Sequence, residues 1–425
     1  MEREIYSAYV DVLKAELVPA LGCTEPGAIA YAAAKAVETL GTFPEHMDID
    51  CSGNIVKNVK GVIVPNSGGL RGIEAAAILG AVAGKGNAES KLQVLDAADD
   101  EDRAKAKELL ETDFCKCGLA EGESNLFIDV RVNAGEDTAQ VIVKDNHTNI
   151  ILIKKNDEVI MQRGTEEEKA DLDSKKEMLT VRKILEFADG VDLAEVKDVL
   201  DLQIKSNTAI AEEGITNDYG ASVGKTLLES YGDDIKVRAK AMAAAGSDAR
   251  MAGSSMPVVI NSGSGNQGIT VTVPVVEYAR ELGVEDEKMY RALLVSNLLS
   301  IHIKRYIGKL SAFCGAVSAA CGTGAAITYL HGGGYDEVSS TIINTIGNVS
   351  GIVCDGAKAS CAAKIASALD AAILAHNMTE KKRMFQDGEG IVHEDIEQTI
   401  RNVGHVGREG MKETDIEILH LMIGD

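Results

Sequence analysis

Eight cysteines in a 425-residue chain carry the most evident chemistry: Cys23, Cys51, Cys115, Cys117, Cys314, Cys321, Cys354 and Cys361. In a reducing compartment such usage favours metal binding, catalysis or burial over disulfides. Cys314 and Cys321 stand seven apart, as do Cys354 and Cys361. None of these pairs has the C-x-x-C spacing of a zinc ribbon, which argues against structural zinc. Thiolates from separated segments can instead hold an iron–sulfur cluster, whose corners lie further apart than the ligands of one zinc. Seven residues of one helix rise by about 10.5 Å, too far for easy sharing of a cluster. Gly351 and Gly356 put Cys354 in a loop, with Asp355 or Ser360 near a helix start, and this relieves the constraint. By spacing alone Cys321 is also eligible, and a fourth ligand would close the cluster. The competing reading is small thiols packed in Ala/Gly helix contacts.

Two further segments stand out. In GCTEP (residues 22–26) Thr24 reads as an N-cap and Pro26 as a first-turn residue. Cys23 then lies just outside a helix N-terminus, where the dipole and free N–H groups favour the thiolate and a role as base, nucleophile or metal ligand. Glu25 reads as a first-turn acid complementing the dipole. The loop NSGSGNQG (261–268) offers N–H, hydroxyl and amide groups to a carboxylate or phosphate, including that of pyridoxal phosphate. It is no P-loop, since no Gly-Lys-Ser/Thr follows, and a plain glycine hairpin is the alternative. Lys304, Arg305 and Lys358 could hold a substrate carboxylate, though each also reads as a surface charge. The histidines lack zinc-hydrolase spacing.

These residues need elements to position them. Helical periodicity marks residues 3–18, ended by Pro19, and a second helix runs from GCTEP to Gly41. MDIDCSG and NVKGVIVPN read as short strands around Cys51, and RGIEAAAILGAVAG as a small-residue helix. LQVLD, NLFIDVRVN, AQVIVKD and NIILIKK read as strands, with DDEDRAKAKELLE an exposed helix and NAGED and KDNHTN as hairpin turns. The charged run RGTEEEKADLDSKKE reads as a solvated linker or helix face. Beyond residue 175 the chain reads as Ala/Gly-rich helix, except 257–276, where two β-branched runs flank the glycine loop. The expected class is α+β: an N-terminal segment (1–86) packing with the catalytic domain, a small α+β subdomain (87–170), and a mainly helical catalytic domain (171–425).

Composition narrows the partners. Lys+Arg 43 against Asp+Glu 66 gives a formal charge of −23, which disfavours nucleic acid and anionic membranes. No apolar run approaches the roughly 20 residues of a membrane span, and the N-terminus lacks a signal-peptide core. A cytoplasmic protein is expected, and the Ala/Gly-rich helices suit a homodimer.

Taken in order, GCTEP, SGNIVKNVKGVIVPNSGGLRG, NSGSGNQG, CGAVSAACGTGAA and GNVSGIVCDGAKASCAAKI resemble the L-cysteine desulfidase family, related to the iron–sulfur L-serine dehydratases. The resemblance spans essentially the whole chain. It implies a 4Fe-4S cluster on three cysteines with one iron open to substrate. By position the ligands are Cys314, Cys354 and Cys361, and Cys23 is the catalytic base. The pattern does not require Cys321, which then reads as a packed thiol, and Cys51, Cys115 and Cys117 match no functional position.

The implied reaction is α,β-elimination of L-cysteine to pyruvate, ammonia and hydrogen sulfide, the open iron binding the substrate carboxylate and easing departure of sulfur. Ser262 and Asn266 of the glycine loop, with Asn54 and Asn66, would orient the substrate's carboxylate and ammonium. The alternatives are L-serine dehydration by the same mechanism, a pyridoxal-phosphate lyase, for which no lysine sits in a fitting motif, and a non-catalytic iron–sulfur sensor.

Overall fold

A computed structural model describes residues 1–84, 86, 88–163, 167–308 and 310–424. Helices dominate, and a six-stranded mixed sheet stands beside them. Its order is Cys115–Leu119, His46–Cys51, Phe127–Ala134, Asp137–Lys144, Ile150–Lys155 and Glu158–Gln162. The first two strands pair in parallel and all others antiparallel. Alternation made the middle strands legible: Ala139, Val141 and Val143 are buried while their neighbours are partly exposed. His46–Cys51 comes from the N-terminal segment yet lies inside this sheet, with Ile49 opposite both Cys117 and Val130. A second sheet of two short strands joins Pro19–Leu21 to Pro257–Val259 and brings the GCTEP loop beside the glycine loop.

Several local expectations are corrected. The second β-branched run, ITVTVPVV, is not a strand but part of the helix Gly265–Leu282. Intrinsic propensity loses to burial, since every residue from Gln267 to Ala279 is buried. Pro274 removes the bond its N–H would give to Thr270 O, and the Thr323 hydroxyl, 2.7 Å away, donates to that carbonyl instead. LQVLD lies in 3-10 turns over Ala88–Ala97, broken at Lys91. NVKGVIVPN begins in the helix Gly53–Val59 and continues as loop, with one bridge between Ile63 and Arg71. In the charged run, residues 164–166 lie outside the described residues. The rest forms the helix Glu167–Glu177, which docks on the first helix, Arg3–Glu16, through Lys176–Glu16 and Lys175–Asp11 pairs.

Two large apolar cores and one small alanine cluster form among the described residues. One large core joins the helices Thr24–Leu40 and Ile73–Ala83 to the large sheet; the other fills the helices from Asp286–Ile307 to Ile396–His405. Among the described residues no helix is long and apolar enough to cross a membrane.

Candidate active site

A cavity of about 110 Å³ is lined by Cys23, Cys314, Cys354 and Cys361 together with Glu25, Asn54, Lys57, Asn58, Arg250, Ser264, Asn266, Gln267 and Lys304. Four helices start at its wall. Cys23 is the N-cap of Thr24–Leu40, Ser264 of Gly265–Leu282 and Cys314 of Gly315–Leu330, while Cys361 is the first residue of Cys361–Glu380. Unpaired N–H groups and the positive ends of four helix dipoles therefore face one small space, a field suited to anions.

The thiols differ in environment. Cys354 sits in loop, its N–H donating to Ala312 O at 2.6 Å, as Gly351 and Gly356 foretold. Gly356 has φ +95°, and a Cβ there would lie 2.3 Å from Lys57 O, so only glycine lets the loop close against that helix. A hydrogen bond with Cys314 lowers the Cys354 thiol against the opposing effect of burial, helped by Lys57, the Gly356 N–H and Lys304. The same bond, then burial, raises Cys314. Burial also raises Cys361. Cys321, two turns into the helix that Cys314 caps, is fully buried in the second core and does not line the cavity. Among the described residues no three His, Cys, Asp or Glu side chains converge on a single metal ion. Three thiols spread around a cavity ringed by helix N-termini, with Lys57 and Lys304 buried beside them, fit a larger anionic cluster better than one ion.

Cys23 departs from expectation in its charge. It is the N-cap itself, and Thr24 is the first helical residue. Burial, then the neighbouring Glu25 charge, pushes its thiol well above the ordinary value, so it rests protonated despite the helix dipole. Its Sγ donates to Glu25 Oε2 at 3.0 Å. Glu25 is no surface acid. It is buried, and accepts from the Thr24 hydroxyl at 3.0 Å and from Asn58 Nδ2 at 3.2 Å. His147, on the hairpin turn between the strands Asp137–Lys144 and Ile150–Lys155, brings Nε2 to 3.7 Å from Glu25 Oε1. Burial alone would raise the Glu25 carboxyl, but His147, the Cys23 thiol and Arg250 hold it down at about 2. Periodicity gave no sign of Glu25, His147 or Arg250, because chain segments far apart in sequence bring them together.

The other expected residues divide. Asn54 and Asn266 line the cavity, and each has a buried Oδ1 without a hydrogen-bond partner. Ser262 (φ +51°) turns its hydroxyl onto Asn261 Oδ1 at 3.0 Å and lines a neighbouring cavity that shares Lys304 and Leu310 with the first. Asn66 stands apart: its Nδ2 donates to Leu95 O and Ala98 O, both at 3.0 Å, and its Oδ1 accepts from Arg103 at 2.9 Å. It pins a loop and does not line the cavity.

Of the lone cations only Lys304 reaches the site. It is buried, not a surface charge, and burial brings its ammonium down to about 8 against the opposing charge of Cys354 and Cys314. Lys358 folds back onto Asp355 and Gly356, and Arg305 lies over the Tyr306 ring. Arg250 donates Nε to Gly22 O at 2.9 Å and lies across Gly265, where a Cβ would come within 2.3 Å of Nε.

The glycine loop is a helix start, not a hairpin. The Ser264 hydroxyl accepts from Gln267 N, and Asn261 anchors the loop to Asn297 at 2.9 Å and to Ser300 at 3.1 Å.

The chain is similar to known proteins along essentially its whole length. The relatives include UPF0597 proteins of Lachnoclostridium phytofermentans, 53% identical over 99% of this chain and 100% of the relative, and of Desulfitobacterium hafniense, 50% identical over 100% and 98%. That of Finegoldia magna is 49% identical over 98% and 99%. The family described as Serine dehydratase alpha chain matches residues 89–420, a span that contains Cys314, Cys354 and Cys361. The chain belongs to the serine dehydratase alpha chain family.

Proposed function

We propose that this protein is a carbon–sulfur lyase that eliminates hydrogen sulfide from L-cysteine, leaving aminoacrylate that decays to pyruvate and ammonia. The observation that carries the reading is one cavity lined by Cys23, Cys314, Cys354 and Cys361, and by two asparagines whose buried amide oxygens have no partner among the described residues. Cys314, Cys354 and Cys361 would hold a 4Fe-4S cluster. When bound, that cluster supplies a Lewis acid for the substrate carboxylate and the departing sulfur.

The chain's own residues do the rest. The helix N-termini with Arg250 and Lys304 favour the substrate carboxylate. Cys23 takes the Cα proton as thiolate once its own proton has left to solvent, and its Sγ is oriented by the bond to Glu25 Oε2, 3.0 Å away. Burial makes a thiolate formed at Cys23 a stronger base than one in water. The small volume keeps water from competing for the same positions.

The family description favours a second reading, L-serine as substrate with hydroxide leaving in place of sulfide. Anaerobically purified, iron-reconstituted protein assayed for pyruvate with L-cysteine and L-serine side by side separates the two. Iron-dependent turnover dominated by L-cysteine is the expected outcome. Dominant L-serine turnover would shift the substrate and keep the mechanism, and no pyruvate from either by a fully loaded protein would refute the lyase reading.

A further inference from the structure

Asn54, in the first turn of the short helix Gly53–Val59, meets Asp415 on the C-terminal helix Lys412–Ile423, its Nδ2 donating to Asp415 Oδ2 at 2.9 Å. An ionised carboxylate only accepts, so the amide nitrogen must face Asp415 and Oδ1 must face away from it. That oxygen is buried, on a residue that lines the cavity, and has no donor among the described residues. Asn266, which also lines the cavity, repeats the pattern: its Nδ2 contacts Met251 Sδ at 3.7 Å, and its Oδ1 is buried without a donor among the described residues. Two buried acceptors at one cavity call for a ligand group that only donates. A primary ammonium, with three N–H bonds and no lone pair, is such a group.

Resting on the amino-acid lyase reading above, we infer that the Asn54 and Asn266 amide oxygens receive the substrate's ammonium, and that Asp415 is the positioning residue that fixes Asn54 for it. Asp415 does a second thing for a cationic ligand. Its other oxygen pairs with Lys57, which is 2% exposed, so part of that lysine's charge is offset where an ammonium must approach. The C-terminal helix is held for this purpose by Leu419 against Gly53, where a Cβ would lie 2.5 Å from Leu419 Cδ2, and by Lys60 donating to Met422 O at 2.5 Å. The substrate carboxylate is left to the end of the cavity near Arg250 and the helix N-termini.

The test uses iron-loaded protein and two ligands that cannot eliminate, L-alanine and propionate, which differ only in the ammonium group. Calorimetry should show wild type binding L-alanine more tightly. Asp415→Asn, whose new amide no longer dictates which way Asn54 points and which frees the Lys57 charge, should weaken L-alanine about tenfold and should not weaken propionate. The same variant should raise KM with kcat within about twofold and keep its iron. Should Asp415→Asn fail to fold, Asn54→Leu removes the oxygen without touching the Lys57–Asp415 pair and should show the same selective loss. Equal weakening of both ligands, or of neither, in a protein that still turns over would overturn this inference alone. Wild type binding neither ligand would overturn it together with the lyase reading.

Discussion

Cys314 and Cys321 sit on one helix, seven residues apart, and have little else in common. Cys314 caps the helix at the cavity wall and shares a hydrogen bond with Cys354. Cys321, two turns further in, has no exposure, and burial pushes its thiol up to about 12. The first packs against the core that carries the sheet and the second belongs to the all-helical core. Spacing treats them alike. Position on the helix does not, because only the N-terminus offers free N–H groups and access to a space where charge is tolerated. The same contrast separates Cys361, at a helix start, from Cys51, Cys115 and Cys117, which sit on strands of the large sheet.

The comparison breaks most clearly at the cluster. Cys354→Ala is expected to lose essentially all reconstituted iron and all turnover, whereas Cys321→Ala keeps both. Iron content and absorbance of the reconstituted proteins check this, and iron loss in the Cys321 variant would mean that the packed thiol is a ligand.

A smaller effect lies in acid stability. Glu25, held at about 2 against an ordinary 4.5, contributes stability that is present above pH 4.5 and lost as the pH falls towards 2. That contribution is at most about 3 kcal/mol. Glu25→Gln should therefore show a flatter loss of denaturation midpoint between pH 5 and pH 3 than wild type, and parallel curves would contradict the assignment.

The smallest expected change is in Cys321→Ala itself. Removing one buried sulfur should cost about 1 kcal/mol, read as a lower urea midpoint at unchanged slope.

Much of this was legible in the chain. Alternating β-branched residues announced the strands from Phe127 to Lys155, and glycines on both sides of Cys354 announced a loop. The helix Gly265–Leu282 was not legible, because its β-branched residues and Pro274 read as strand until the Thr323 hydroxyl is known to take up the orphaned carbonyl. His147 and Asp415 were hidden for another reason, and Glu25 and Lys304, though noticed, were read without their partners. Each is an ordinary charged or polar residue in sequence, and acquires its role only where segments 30 to 360 residues apart meet. Asn54 and Asn266 line the cavity, while Asn66 lies at a loop with its amide fully engaged elsewhere.

The strand His46–Cys51 has a consequence for how the chain emerges from the ribosome. Both its partners, Cys115–Leu119 and Phe127–Ala134, are encoded well downstream. At about 5–20 residues per second, Met47, Ile49 and Cys51 wait roughly 4–16 s for the last of them. During that interval an amphipathic strand with two open edges, joined directly to the helix that carries Asn54 and Lys57, is exposed to chaperones and to other nascent chains. The part of the cavity built on residues 23–58 is thus synthesised first and locked late.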